Sequence, residues 1–331
     1  GFLVQNNLGT EDTIDGGAGN DILKIIDSSI FGGTFLNPLS VTNVETVSIQ
    51  SAADTYVDFT NFSGVDDIVD NNSFGDVSVY NVQGPATLSM IRSSGDFYVN
   101  FADSADLGDT LNVNFNGAND FGSDVYMQVT SSDANIAGLK TINIDSSGNA
   151  SNVELDVFGP TEDAAFETLN ITGDADLSLS RWSEGFDKLT LVDAQTFTGA
   201  LDLDLRYDDE DLTFLGGSGD TTLRVGGGND TITTGAGDDD ISIRWGTSGH
   251  NTISTGAGDD IVRFFNTFDA ADKYDGGAGY DTIALQGDQA GLLNGNTNVT
   301  NVENLTLWGT LHNADLTLNG YNLPTGLGDL T

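Results

Sequence analysis

The sequence predicts an all-β chain folded as a right-handed parallel β-solenoid, and three features carry that expectation. Apolar and polar residues alternate in short stretches. A strand-sized motif recurs, with some copies about 20 residues apart, and a Gly/Asp-rich nonapeptide repeats in frame. Nothing of ten or more residues has the 3.6-residue period of an amphipathic helix.

The alternation is plain in Val77-Ser78-Val79-Tyr80, in Leu111-Asn112-Val113-Asn114-Phe115 and in Leu201-Asp202-Leu203-Asp204-Leu205. Period two of this kind reads as strands with one buried face. Between residues 41 and 215 a looser motif recurs, an apolar residue followed by x-[TDKN]-apolar-x-apolar. Its copies are Val44-Glu-Thr-Val-Ser-Ile49, Leu139-Lys-Thr-Ile-Asn-Ile144, Phe166-Glu-Thr-Leu-Asn-Ile171 and Phe186-Asp-Lys-Leu-Thr-Leu191. That spacing suits one solenoid coil, which buries its apolar face only against neighbouring coils. A β-sandwich of similar strands is the alternative that satisfies the same pattern.

The nonapeptide is sharper. It has the form G-G-x-G-x-D-x-U-x, with U a large apolar residue. It appears once around Asp15-Gly-Gly-Ala-Gly-Asn-Asp21-Ile22-Leu23 and repeatedly from 216 to 284. Counted in nines, the second run reads 216–224, 225–233 and 234–242, then 246–254 and 255–263, then 267–275 and 276–284. Both interruptions are three residues long, so the frame resumes after each. The glycines let six residues turn tightly with their carbonyls inward, position six adds a carboxylate, and position eight anchors a strand. Carbonyls plus carboxylate make a hard all-oxygen site suited to Ca²⁺, which takes six to eight ligands. One turn cannot supply that many, so an ion would sit between successive coils. The plain alternative is a set of Gly/Asp hairpin turns.

Composition agrees. The 331 residues include 42 Gly but only 4 Pro, which suggests tight turns rather than a disordered linker. Fifty-one acidic residues face 10 basic ones, for a formal charge of −41. Such a chain repels nucleic acid and anionic lipid, so neither nucleic-acid binding nor membrane insertion is expected. Two explanations of the acidity are compatible: bound divalent cations, or the surface of a halophile. With no Cys there is no disulfide to lock the fold. No apolar run approaches the roughly 20 residues of a bilayer span. The chain opens at Gly1 inside a repeat without a signal peptide, and reads as a piece of something longer.

A longer repeat encloses these motifs. Asp15-Gly-Gly-Ala-Gly-Asn-Asp21 is followed by Val41-Thr-Asn-Val-Glu45, Ala53-Asp54 and Val65-Asp-Asp-Ile68. Asp275-Gly-Gly-Ala-Gly-Tyr-Asp281 is followed by Val299-Thr-Asn-Val-Glu303, Ala314-Asp315 and Leu327-Gly-Asp-Leu330, about 260 residues later. Tandem modules, or capping elements of shared ancestry, give this pattern equally well.

These nonapeptides resemble RTX repeats. The resemblance rests on Gly16-Gly-Ala-Gly-Asn-Asp21, Gly226-Gly-Gly-Asn-Asp230, Thr234-Gly-Ala-Gly-Asp-Asp239, Thr255-Gly-Ala-Gly-Asp-Asp260 and Gly276-Gly-Ala-Gly-Tyr-Asp281. It implies parallel β-roll segments with two nonapeptides per turn and several Ca²⁺ ions between the loops. The implied ligands are Asp21, Asp230, Asp239, Asp260 and Asp281, with Asp12 and Asp272 at the same position in degenerate copies. The turn glycines implied with them are Gly17, Gly19, Gly235, Gly237, Gly256, Gly258, Gly277 and Gly279. Loops at 216, 234, 255 and 276 should stack on one side, and those at 225, 246 and 267 on the other. Thr221 and Asn251 hold position six in their copies, and Asn251, preceded by His250, should weaken the second side. The acidic runs Asp208-Asp-Glu-Asp211 and Asp66-Asp67 read as solvated turns.

Catalytic signals are sparse. The two histidines, His250 and His312, form no H-E-x-x-H motif, and no G-x-S-x-G elbow is present. Carboxylates are too abundant to mark an acid/base pair, and ten basic residues are few for an enzyme acting on acidic sugars. Arg181-Trp182 and Arg244-Trp245 read as packing rather than as sugar-stacking patches. The chain is expected not to be an enzyme.

The Val-Thr-Asn-Val-Glu rungs flanked by nonapeptides also resemble the lattice-forming part of RTX-type bacterial surface-layer proteins, which implies type I secretion. The expected organisation is the end of a β-roll and cap over 1–40, a β-solenoid over 41–215, the calcium-binding β-roll over 216–284, and a cap with the first rung of another module over 285–331. The expected role is a calcium-dependent building block of an extracellular array or filament. It would be secreted to the cell surface, partnered by its own copies and by cell-surface polysaccharide. The alternatives are a calcium-stiffened stalk of a large adhesin and a non-catalytic module of a polysaccharide-modifying enzyme.

Overall fold

A computed structural model describes residues 1–5, 8–30, 33–103, 105, 107–119, 124–131, 133–160, 166–179, 188–244, 249–286, 289, 293, 296–309 and 329–330. Phe186, Arg181-Trp182, Trp245, residues 246–248, His312, Ala314-Asp315 and Leu327-Gly328 lie outside the described residues. The chain divides into two compact units, Gly1–Phe166 with Asp174–Gly185, and Glu167–Gly173 with Phe186–Thr331.

In the first unit successive coils add one strand to each of two parallel sheets. One sheet runs through Phe2–Gln5, Ile22–Asp27, Thr46–Ser51, Asp67–Asn71, Thr87–Ile91, Thr110–Asn116 and Thr141–Ser146. The other runs through Thr34–Leu36, Thr55–Asp58, Val77–Val82, Phe97–Phe101, Val125–Thr130, Ser151–Phe158 and Leu177–Leu179. A three-stranded sheet (Thr13–Asp15, Ser40–Thr42, Phe62–Ser63) and one short helix, Asp133–Gly138, complete its described elements.

Register explains the core. Leu23, Val47, Ile68, Leu88, Val113 and Ile144 pair in succession and are buried, as are Leu36, Val57, Val79, Val99, Val129 and Val157 opposite. Because side chains alternate across a strand, these columns face inward. Each buried aliphatic side chain contributes roughly 1.5–3 kcal/mol.

The second unit repeats the scheme on shorter coils. Its inward columns are Leu169, Val192, Phe214, Ile232, Ile253, Tyr274 and Val299, and Leu203, Leu223, Ile241, Val262, Ile283 and Leu305. In both units the described strand pairs are parallel, coil to coil. This is the β-solenoid expected from the alternation, and the sandwich alternative is excluded.

Candidate calcium ladders

Between residues 216 and 281 the nonapeptide turns stack directly on one another. The amide of Thr221 donates to Asp239 Oδ1 at 2.7 Å, that of Asp239 to Asp260 Oδ1 at 2.8 Å, and that of Asp260 to Asp281 Oδ1 at 3.0 Å. Position five runs in the opposite sense. Asp238 and Asp259 donate back to Asp220 and Asp238 at 2.9 and 2.8 Å, and Tyr280 to Asp259 at 2.8 Å. The first step spans 18 residues and the next two span 21 each, so the three-residue insertions lengthen the coil without breaking the ladder.

Glycine is demanded by the stacking. Gly258 has φ +138°, and a Cβ there would lie 2.0 Å from the Gly237 carbonyl oxygen; at Gly277, with φ +92°, it would lie 2.0 Å from that of Gly256. Gly235, Gly237, Gly256 and Gly279 meet a neighbouring coil's backbone in the same way. Between them Ala236, Ala257 and Ala278 form parallel bridges, while Thr234 and Thr255 donate hydroxyl hydrogens to the next coil's carbonyls at 2.8 and 2.9 Å. The carbonyls are thereby held in register along the stack.

The position-six carboxylates are buried in this arrangement. Asp230, Asp239, Asp260, Asp272 and Asp281 are each at most 1% exposed. In Asp230, Asp239, Asp260 and Asp281 the Oδ1 atom accepts a backbone amide, whereas Oδ2 is buried with no hydrogen-bond partner. Burial, then repulsion from neighbouring carboxylates, pushes Asp230 up to about 7 and Asp239 and Asp281 up to about 6. Burial raises Asp260 and Asp272 as well. A buried, unpaired charged oxygen is costly, and a column of them is costlier. A hard cation removes that cost, so the donor set fits Ca²⁺. Among the described residues no three acidic, histidine or cysteine side chains converge on one point. A cation between coils would need backbone carbonyls to complete its ligand set.

The second side is interrupted where expected. Leu212 donates to Asp230 Oδ1 at 3.1 Å, Asp230 to Asn251 Oδ1 at 3.1 Å, and Asn251 to Asp272 Oδ1 at 2.7 Å. Asn251 keeps the amide ladder, but its Nδ2 points at Asp272 Oδ1, 3.3 Å away, where a carboxylate would present an oxygen. Asp272 Oδ2 accepts the Asp269 amide at 2.7 Å. His250 is exposed and lies 3.0 Å from Asp269. Arg244 rests over the Tyr207 ring, 4.6 Å from its centre.

Asp12 and Asp21 belong to the first unit. Asp12 Oδ2 accepts the Gly9 amide at 2.7 Å, the counterpart of Asp272 with Asp269. Asp21 sits at the end of the turn holding Gly17 and Gly19, both with positive φ and with no atom near where a side chain would begin.

Three groups of residues escaped the sequence reading. Glu45 and Glu303 accept the amides of Asp21 and Asp281 at 2.7 and 2.8 Å, taking the place of a position-six Asp one coil on. The run 208–211 is not simply a solvated turn: Asp208 is 5% exposed, and Asp211 Oδ1 takes the Asn229 amide at 2.7 Å. Asp54, Asp76 and Asp96 form a further ladder, Asp76 and Asp96 donating back at 3.4 and 3.0 Å and Tyr126 closing it at 2.9 Å. The turns Ser51-Ala-Ala-Asp54, Ser73-Phe-Gly-Asp76 and Ser93-Ser-Gly-Asp96 thus keep position five and have lost the acid at position six.

A family model for the RTX calcium-binding nonapeptide repeat matches residues 9–24, 215–242 and 245–283, in four copies. Comparison with curated proteins gives no match, and neither does comparison with solved structures.

Proposed function

We propose that this chain, which carries RTX calcium-binding nonapeptide repeats over residues 9–24, 215–242 and 245–283, is a calcium-locked building block of an extracellular surface layer or filament. The observation that carries this reading is the column of position-six carboxylates, each with one oxygen satisfied by a backbone amide and one buried without a partner.

Asp230, Asp239, Asp260 and Asp281 would hold the ions together with the stacked turn carbonyls. Asp272, Asp12 and Asp21 extend the set at the ends. When bound, calcium supplies positive charge and coordination that tie successive coils together. The chain's own part is to present preformed carbonyl rows and to place the second carboxylate oxygens inward. At a formal charge of −41 the calcium-free chain repels itself, which favours an unfolded, export-competent state. Outside the cell, binding that requires the folded state becomes folding free energy. The role is structural rather than catalytic, with copies of the chain as principal partner and cell-surface polysaccharide as anchor.

Negative-stain microscopy and light scattering of the calcium-loaded chain test the assembly step. Two-dimensional sheets support the surface layer, and end-to-end fibres support the filament. Particles that stay monomeric at every calcium concentration overturn self-assembly and leave the adhesin-stalk reading.

A further inference from the structure

The Val-Thr-Asn-Val-Glu segments at 41–45 and 299–303 occupy the same place in the two units. In both, the valines are buried and the central Asn takes a left-handed backbone, φ +53° at Asn43 and +51° at Asn301. The Asn side chain donates to Asp15 at 2.8 Å and to Asp275 at 2.7 Å. The preceding Thr carbonyl accepts the amide of Gly16 at 2.9 Å and of Gly276 at 3.0 Å. The Asn carbonyl sits so close that a Cβ on Gly16 or Gly276 would lie 1.7 or 2.1 Å from it. Within the ladder the following coil's carbonyl takes the same position-one amide: Gly216 donates to Thr233 at 2.7 Å, Thr234 to Ser254 at 3.0 Å and Thr255 to Asp275 at 3.1 Å.

Each segment therefore offers what a following nonapeptide would offer: a carbonyl for the position-one amide and a carboxylate on the position-six amide. Asp281, 0% exposed, has Oδ2 buried and unpartnered near Gly276 of its own turn, and Glu303 is the carboxylate on its amide. The family match stops at residues 24 and 283, short of both glutamates.

We propose that each segment is a capping coil that ends its nonapeptide run with a further calcium site, formed by Asp21 with Glu45 and by Asp281 with Glu303. This rests on calcium occupying the Asp ladders. The five-residue form makes the cap possible: Asn supplies a left-handed turn without glycine, and the longer Glu side chain reaches the amide. Coils without position-six acids can then continue the solenoid beyond the cap.

The test is calcium stoichiometry of the full chain, by equilibrium dialysis with elemental analysis, for wild type, Glu45→Gln, Glu303→Gln and the double variant. Gln retains an oxygen for the amide and loses the charge. Each single variant is expected to hold one ion fewer at calcium levels that saturate wild type, and the double variant two fewer, with unchanged far-UV circular dichroism. Glu303→Asp covers the case of a misfolded Gln variant: it should weaken one site by about tenfold or more, since calcium affinity follows ligand charge and geometry. Calcium binding by wild type with unaltered stoichiometry and affinity in the variants overturns the capping sites and leaves the ladder intact. No calcium binding by wild type removes the ladder reading itself.

Discussion

Replacing Asp239 with Asn should stabilise the chain without calcium and destabilise it with calcium. Asp239 is 1% exposed, and burial raises its carboxyl from 3.8 to about 6. That difference corresponds to about 3 kcal/mol. Its sign follows from linkage: the folded state holds the proton to higher pH than the unfolded state. Calcium-free stability is therefore greatest below about pH 4, falls between pH 4 and 6, and carries the full penalty at pH 8. Asn removes the buried charge and can still accept the Thr221 amide, as Asn251 accepts that of Asp230 at 3.1 Å. Bound calcium inverts the balance, because the ion favours the carboxylate and Asn offers one neutral oxygen. Urea unfolding at pH 8, followed by circular dichroism, tests this in chelator and in millimolar calcium. Trimethylamine N-oxide brings the chelated state into a measurable range. The variant should exceed wild type by up to about 3 kcal/mol in chelator and fall below it in calcium. Equal destabilisation in both conditions would show that Asp239 acts only as a hydrogen-bond acceptor.

Restoring the second ladder with Asn251→Asp should add calcium affinity, read by titration calorimetry, and cost about 1–3 kcal/mol in chelator; unchanged binding would contradict a carboxylate-limited ladder. Gly258→Ala, forced against the Gly237 carbonyl at positive φ, should lower stability in calcium by about 3–5 kcal/mol. Gly17→Ala, with nothing near, should cost only about 1–2 kcal/mol; equal losses in thermal unfolding would count against the stacking. Asp70 interrupts an inward column between Ile49 and Met90, and burial pushes it up to about 7. Asp70→Asn in saturating calcium should abolish a fall in stability of about 4 kcal/mol between pH 4 and 7, and a melting profile that still falls would refute it.

Much of this was legible in the sequence because a solenoid translates linear period into spatial neighbour. Leu111–Phe115 alternates and lies in a strand with alternate side chains inward, while at Val77–Val79 the intervening Ser78 is buried as well. Counting in nines placed Asp239, Asp260 and Asp281 in one column and Asn251 in the other. What escaped depends on partners outside the frame. Glu45 and Glu303 come from a segment with no glycine pattern, and only their places after Asp21 and Asp281 hinted at a shared task. The Asp54, Asp76 and Asp96 ladder hid because Thr55, Val77 and Phe97 replace the position-six acid that defines the motif. Asp208 reads as a surface acid until its coil is placed under Gly226 and Gly227, whose packing buries it.

The most direct test of the central claim is calcium titration from a fully chelated start, followed by far-UV circular dichroism. The calcium-free chain should show little β-structure, with a cooperative gain of parallel β signal as calcium rises. An equally folded chain in excess chelator, with no spectral or stability response to calcium, would contradict it.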